Sequence, residues 1–173
     1  KNNKNKIYLN VIKLLKSIQK IRAKNIKTFT GDKYKIPQYT KGKLLDESKL
    51  FLDWYLPKVI KKTKIKKAKN EIKNVLKHLY KKLKLNKKVF VHRDFHVSNV
   101  MYHKKKFYLI DSQDAVYGNI AYDLASLIDD VRLKTSQELK NKIFKMYIGV
   151  NKLIDKKKFK NDFEILSVLR NLK

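Results

Sequence analysis

Between Lys88 and Asp111 a chain that otherwise reads as helix breaks into short β-branched and aromatic runs, Val89 to Val91, Val100 to Tyr102 and Phe107 to Ile110. Runs of that length suit strands and are too short for helices. Any fold for this chain must therefore carry a small β insertion inside a helical body. The body is written in apolar stripes. Ile7, Val11, Leu14, Leu15, Ile18 and Ile21 recur at helical spacing, as do Ile65, Ala68, Ile72, Val75, Leu76, Leu79 and Leu83, and each set predicts one buried helix face. Apolar residues crowd Leu44 to Leu56 ahead of Pro57, which predicts a mostly buried helix that stops near the proline, with Trp54 and Tyr55 in the core. Lys27 to Lys43 holds Gly31, Pro37 and Gly42 and reads as loop with short extended pieces. After Gly118, Asp123 can cap the run Leu124, Leu127, Ile128 and Val131. Thr135 with Glu138 makes a capping box for the next helix, and a final helix covers about Asp162 to Leu172. The expected fold class is α+β, mainly helical, in one domain.

Composition narrows the function. Cysteine is absent, which excludes disulfides, thiolate zinc sites and cysteine nucleophiles. No apolar run approaches the roughly 18 residues of a membrane span, and no leader pattern opens the chain, so no membrane partner and a cytoplasmic location are expected. The net charge of +29 raises the question of nucleic acid. All but four of the 44 basic residues are lysines spread over almost every segment. Nucleic-acid sites favour arginine forks interleaved with aromatics, so the charge reads as a lysine-rich solvated surface whose field can attract anionic substrates.

The segment Val89 to Asp123 contains His92-Arg93-Asp94, then Asn99, Asp111 and Asp123. Phosphoryl transfer needs a group that orients or accepts the proton of the attacking hydroxyl, and magnesium to neutralise charge on the phosphates. An Asn carbonyl and an Asp carboxylate are suitable hard oxygen ligands. If Lys104-Lys105-Lys106 is a three-residue hairpin loop, His103 pairs with Phe107, Met101 with Leu109, and Asn99 falls opposite Asp111. Opposed Cα atoms lie roughly 4.5 to 5.5 Å apart, so one ion could touch both side chains. Asp94 precedes the hairpin in a polar loop, where a carboxylate can serve as base without being consumed as a ligand. Asp123, at a helix start, can cap its own helix or brace the catalytic loop. His78 and His103 have no partners at metal-ligand spacing and read as surface or hairpin residues.

The pattern His-x-Asp-x-x-x-x-Asn followed by a metal-binding Asp resembles the one shared by protein kinases and the aminoglycoside phosphotransferase and choline kinase superfamily. Within it, His92 to His96 with Asn99, Ile110-Asp111-Ser112-Gln113-Asp114-Ala115, Tyr117-Gly118 and Tyr122 to Leu127 look like the bacterial kinases that phosphorylate the anomeric hydroxyl of N-acetylmuramate and N-acetylglucosamine. Leu50 to Pro57 resembles their segment before the catalytic loop, so the likeness covers roughly Ile36 to Arg132. It implies an ATP-dependent phosphotransferase acting on a small-molecule acceptor, an amino sugar first, in cell wall recycling, with ATP and Mg2+ as cofactors. By resemblance Asp94 is the base, Asn99 and Asp111 bind magnesium and the nucleotide, and His92 and Asp123 support the loop. Gln113 and Asp114 could reach the sugar or stabilise their own loop. The chain departs from the pattern at Val97, where relatives often have proline, and at Ser112, which replaces an aromatic. It has no Asp-Phe-Gly triplet, which points away from protein kinases.

A complete kinase of this kind also has a strand-rich lobe with a loop over the phosphates. The glycines at 31, 42, 118 and 149 form no such loop, and the chain begins with Lys1 and a helical pattern. The expectation is a kinase-like carboxyl-terminal lobe, 1–173, with catalytic loop 92–99 and metal-binding segment 107–114, its amino-terminal lobe absent and its activity alone slight. The alternatives left open are an inactive kinase-like scaffold, an aminoglycoside or choline-type kinase, and a basic RNA-binding module.

Overall fold

A computed structural model describes residues 2–23, 25–85 and 88–172. Helix α1 (Asn2–Ile18) buries Val11, Ile12 and Leu15 and lies against α6 (Gln137–Val150). It starts before the expected Ile7 and stops short of Ile21, which is exposed. A small exposed hairpin follows, β1 (Asn25–Lys27) with β2 (Lys33–Lys35).

Helix α2 (Lys41–Leu50) is capped by Thr40, whose hydroxyl accepts from the Lys43 N–H at 3.2 Å. It does not stop at Pro57. It continues through a π-helical turn, Phe51–Tyr55, into α3 (Leu56–Val59), with Pro57 in the first turn of that last piece. The Leu56 N–H still finds an intrahelical partner, the Phe51 carbonyl, across the wider turn, and Pro57 lacks the N–H that would continue that series. The inward stripe is Leu44, Ser48, Leu52 and Leu56. Trp54 and Tyr55 lie off that stripe and are 71% and 55% exposed, so they are not the core residues the sequence suggests.

Helix α4 (Lys62–Lys81) buries Leu76 and Tyr80 and half-buries most of its expected stripe, while Val75 points outward. The Tyr80 hydroxyl donates to the Leu44 carbonyl at 2.7 Å and lies 2.7 Å from the Ser48 hydroxyl, joining α4 to α2.

The centre of the molecule is a buried antiparallel pair, β3 (Lys88–Val91) with β6 (Val116–Asn119), Val91 standing opposite Val116. Strand β6 is not among those expected from the sequence, because Gly118 interrupts its apolar run. Close packing favours the glycine: a Cβ there would meet the Tyr39 Cβ at 3.1 Å and a Val91 methyl at 3.3 Å, so both neighbours would have to give way slightly. The Tyr39 N–H donates to the Tyr117 carbonyl at 2.8 Å and the Tyr117 N–H to that of Pro37 at 2.8 Å, so the chain before α2 lies along this pair.

Helix α5 (Tyr122–Ile128) is buried along its whole length and packs on α6 and on α7 (Lys156–Asn171). The cap of α6 is Ser136, which accepts from the Leu139 N–H at 3.3 Å. Thr135, expected in that role, instead donates to the Leu133 carbonyl at 3.2 Å. Helix α7 begins well before the expected Asp162, capped by Asp155. Asp162 lies inside it, fully buried, and accepts from the N–H groups of Lys84 and Leu85 at 2.8 and 2.9 Å and from the Asn119 amide at 2.6 Å. It ties the entry to β3 and the end of β6 to the helical layer. Among the described residues no helix is long and apolar enough to cross a membrane.

The second hairpin pairs β4 (Val100–His103) with β5 (Lys106–Leu109). His103 faces Lys106, so the loop is Lys104-Lys105 and not the expected three residues. Both lysines have positive φ, 45° and 64°, as a tight hairpin turn with right-handed strand twist demands. Residues other than glycine pay for that conformation. Replacing Lys104→Asn together with Lys105→Gly should therefore raise unfolding stability by about 1 kcal/mol, read from urea midpoints. No gain would mean that the turn does not hold this geometry in solution.

Candidate active site

The β3 strand delivers the chain into the polar loop at His92, and a buried carboxylate holds it there. Asp123 Oδ2 accepts from the His92 N–H at 2.8 Å and Oδ1 from the Arg93 N–H at 3.0 Å. Asp123 does not cap its own helix, whose cap position is Ala121. Its side chain is fully buried, and burial pushes the carboxyl up to about 7, against the pull of the two main-chain donors, with the Asp94 charge adding to the rise.

Arg93 adopts a left-handed backbone, φ 75°, which an L-residue takes only when its surroundings hold it. Its Nε is buried and finds no partner among the described residues, while the guanidinium is held through the two terminal nitrogens and one face. It donates to Glu47 at 2.6 Å, lies 3.7 Å from an Asp114 carboxylate oxygen and sits 5.5 Å from the centre of the Tyr39 ring. Tyr39 in turn donates to the other oxygen of Glu47. Arg93 received no task from the sequence although it is one of four arginines among 44 basic residues, and that rarity is a signal for a fork-shaped contact. Glu47, on α2, had no local signal.

His92 is fully buried, and neither ring nitrogen makes a well-formed hydrogen bond to a described residue. Burial lowers its pKa, partly offset by the main chain at Ile110 and by the Asp94 and Asp111 charges. The ring, held neutral by burial, packs edge-on to Phe95 with centroids 6.5 Å apart. His96 is also buried with a lowered pKa, first through desolvation and then through Arg132.

Asn99, Asp94 and Asp111 meet at the open end of the β4–β5 hairpin. The Asn99 amide donates to the Asp94 carbonyl at 3.0 Å and reaches Asp111 Oδ2 at 3.4 Å. The route differs from the expected one. In the observed register the Ile110 N–H donates to the Asn99 carbonyl at 3.1 Å, so Asn99 stands opposite Ile110. A one-residue slip should send the two side chains to opposite faces, but Asp111 has φ 68°, and this turn brings its carboxylate back towards Asn99. Gln113 donates its amide to Asp111 Oδ1, and Asp114 faces Arg93; both contacts stabilise the segment. The Asp94 carboxylate accepts no hydrogen bond from any described residue and is half-exposed.

Among the described residues there is no group of three or more His, Cys, Asp or Glu that could hold a metal alone. The donor set still fits magnesium. With the Asn99 N–H groups directed at Asp94 and Asp111, its carbonyl oxygen remains an acceptor, and Asp111 supplies a carboxylate. Magnesium commonly takes one or two protein oxygens and completes its shell with water and phosphate.

A model described as "Phosphotransferase enzyme family" matches residues 2–154. Three curated relatives are each named N-acetylmuramate/N-acetylglucosamine kinase. The one from Neisseria meningitidis serogroup B is 34% identical over 103 residues, 60% of this chain and 31% of that protein. Those from Pseudomonas putida and Pseudomonas aeruginosa are 33% and 30% identical over 95 residues, 55% of this chain and 28% of each relative. The chain thus matches less than a third of the length of these relatives.

The buried Asp123 makes a pH signature. A carboxyl whose folded pKa is about 7, against an ordinary 3.8, keeps its proton in the folded state where the unfolded chain has released it. Its contribution to stability is fullest below about pH 4 and is lost as pH rises through about 7. The stability of the wild type relative to Asp123→Asn should fall between pH 4.5 and 7.5 in paired urea titrations. A difference that stays flat over that range would place the folded pKa near its ordinary value.

Proposed function

We propose that this chain, which belongs to the phosphotransferase enzyme family, carries the catalytic loop and metal-binding segment of a small-molecule kinase. The acceptor we assign is an amino sugar of the N-acetylglucosamine or N-acetylmuramate class, with ATP as phosphoryl donor. The observation that carries the reading is the meeting of Asp94, Asn99 and Asp111 at one corner, with Asp94 left unpaired on a loop held from beneath by Asp123. The names of the curated relatives support the choice of acceptor.

In this reading Asp94 receives the proton of the acceptor hydroxyl as its oxygen bonds to the γ-phosphorus and the bond to the β–γ bridging oxygen breaks, releasing ADP. Asn99 and Asp111 would hold magnesium. Bound there, the ion supplies positive charge against the phosphates. Arg93 fixes the loop to α2 through Glu47 and so sets the position of Asp94 without touching the reacting atoms. The lysine-rich surface adds a field that draws in the anionic nucleotide.

The assay is coupled ADP release with N-acetylglucosamine, N-acetylmuramate, an aminoglycoside and choline as acceptors, run on the product of the whole gene. In the enzyme, Asp94→Asn should lower kcat by at least about a hundredfold and leave the KM for ATP little changed. Asp111→Asn should also weaken magnesium-dependent nucleotide binding. Near-normal turnover of Asp94→Asn on the best acceptor would remove the base assignment.

A further inference from the structure

The helical segment after Glu47 carries exposed aromatics that neither the core nor the phosphoryl-transfer chemistry uses. Phe51 is half-buried and stacks on Tyr55, with centroids 5.2 Å apart and ring planes 28° apart, and Trp54 beside them is 71% exposed. The π-helical turn that bears them is Phe51–Tyr55. Such turns are rare and are frequently found at functional sites.

Neighbouring contacts give the direction of this face. The stripe Leu44, Ser48, Leu52, Leu56 points into the core. On one flank Asp53 pairs with Lys69 of α4 at 2.6 Å. On the other flank Glu47 holds Arg93, the residue next to Asp94, at 2.6 Å. Phe51 and Tyr55 follow Glu47 at four-residue steps, so they continue the flank that meets the catalytic loop. At a helical rise of 1.5 Å per residue they lie roughly 6 to 12 Å along the axis from that ion pair, about the span of one or two sugar rings. Trp54 borders them on the solvent side.

We infer that the Phe51, Trp54 and Tyr55 face is the wall of the acceptor site and holds a sugar ring against its C–H face; this rests on the kinase reading of Asp94. Aromatic faces bind two kinds of small polar acceptor, the apolar face of a pyranose and a quaternary ammonium. The chain carries +29, and Glu47, Asp114 and Asp53 beside the face are in ion pairs, so the overall field favours a neutral or anionic sugar over a cation. The unpaired Asp94 carboxylate acts the other way at the reacting end of the site, so a quaternary ammonium is the competing occupant that the test must exclude.

Trp54 is the single tryptophan of this chain, so its emission reports on the wall directly. Titration with N-acetylglucosamine or N-acetylmuramate should shift or quench that emission, and choline should not. In the whole enzyme Trp54→Ala should raise the KM for the sugar about tenfold, the size of one lost stacking contact. The KM for ATP should stay the same, and Trp54→Phe should recover most of the loss. Sugar titrations that leave the emission unchanged, a response to choline in place of sugars, or an active Trp54→Ala enzyme with an unaltered sugar KM would each overturn the assignment. If the enzyme phosphorylates none of the acceptors, the kinase reading fails by itself, and the emission titration still decides whether this face binds sugar.

Discussion

A fully buried carboxylate on α5 holds the backbone of the 92–99 loop, and the rest of the candidate site is arranged around that contact. Asp123 offers both oxygens to the consecutive N–H groups of His92 and Arg93. Two such donors left unpaired in this interior would each cost about 1–3 kcal/mol, and the loop cannot supply partners from its own sequence because the chain turns away at Arg93. Burying the carboxylate has its own cost, visible in a pKa pushed up to about 7 by desolvation. The arrangement is tolerable because α5 is buried along its whole length and packs on α6 and α7, which leaves little room for water in place of the donors. A strong position constraint on the loop follows from a contact that is expensive to form alone.

The same logic explains the left-handed backbone at Arg93. That conformation costs of order 1–3 kcal/mol and persists only where the surroundings over-determine it. Here they do so from both ends of the residue: the N–H is fixed by Asp123 and the guanidinium by Glu47, Asp114 and the Tyr39 ring. The pair with Glu47 is partly buried, with side-chain exposures of 17% and 22%, so it is screened less than a surface pair. Asp94 is the next residue along. Its direction is thus set by groups far apart in sequence, and its own carboxylate needs no partner to be held in place. Asp111 shows the second instance, a left-handed residue that turns its side chain onto Asn99 after the hairpin ladder has ended.

Much of this was legible in the sequence. The stripes through Val11 and Leu15 and through Leu76 and Leu79 gave the helices, because burial of one face follows directly from a 3.6-residue period. The pattern of Asp94, Asn99 and Asp111 picked out residues that the structure brings close, although the hairpin pairing expected to join Asn99 to Asp111 is not the one observed. What escaped depends on backbone choices that leave little trace in residue types. The Lys104-Lys105 turn lacks the glycine or asparagine that marks a tight hairpin, so the register was expected one residue off. Strand β6 is short and holds Gly118, which the period of two treats as a break although close packing against Tyr39 favours it. Trp54 and Tyr55 read as core because aromatics bury well, but the inward stripe is Leu44, Ser48, Leu52 and Leu56, and the two aromatics lie off it. Asp162 and Glu47 had no neighbours in sequence to give their partners away.

The pattern of misses has a physical order. Periodicity reports which surface of an element is apolar, and it fails where a polar residue is buried for a distant partner. Those are the places where this structure concentrates its polar interior: Asp123 under the loop, Asp162 between β3 and α7, and Arg93 against α2. Each joins segments separated by 30 or more residues. The apolar stripes would permit the helices to slide against one another with modest loss, since nondirectional burial depends on area. Hydrogen bonds to buried carboxylates do not permit it, because they are directional and leave an unpaired charge when displaced. The helical stripes therefore account for the existence of the core, and the scattered buried acids account for its register, which is the property that the geometry of Asp94, Asn99 and Asp111 depends on.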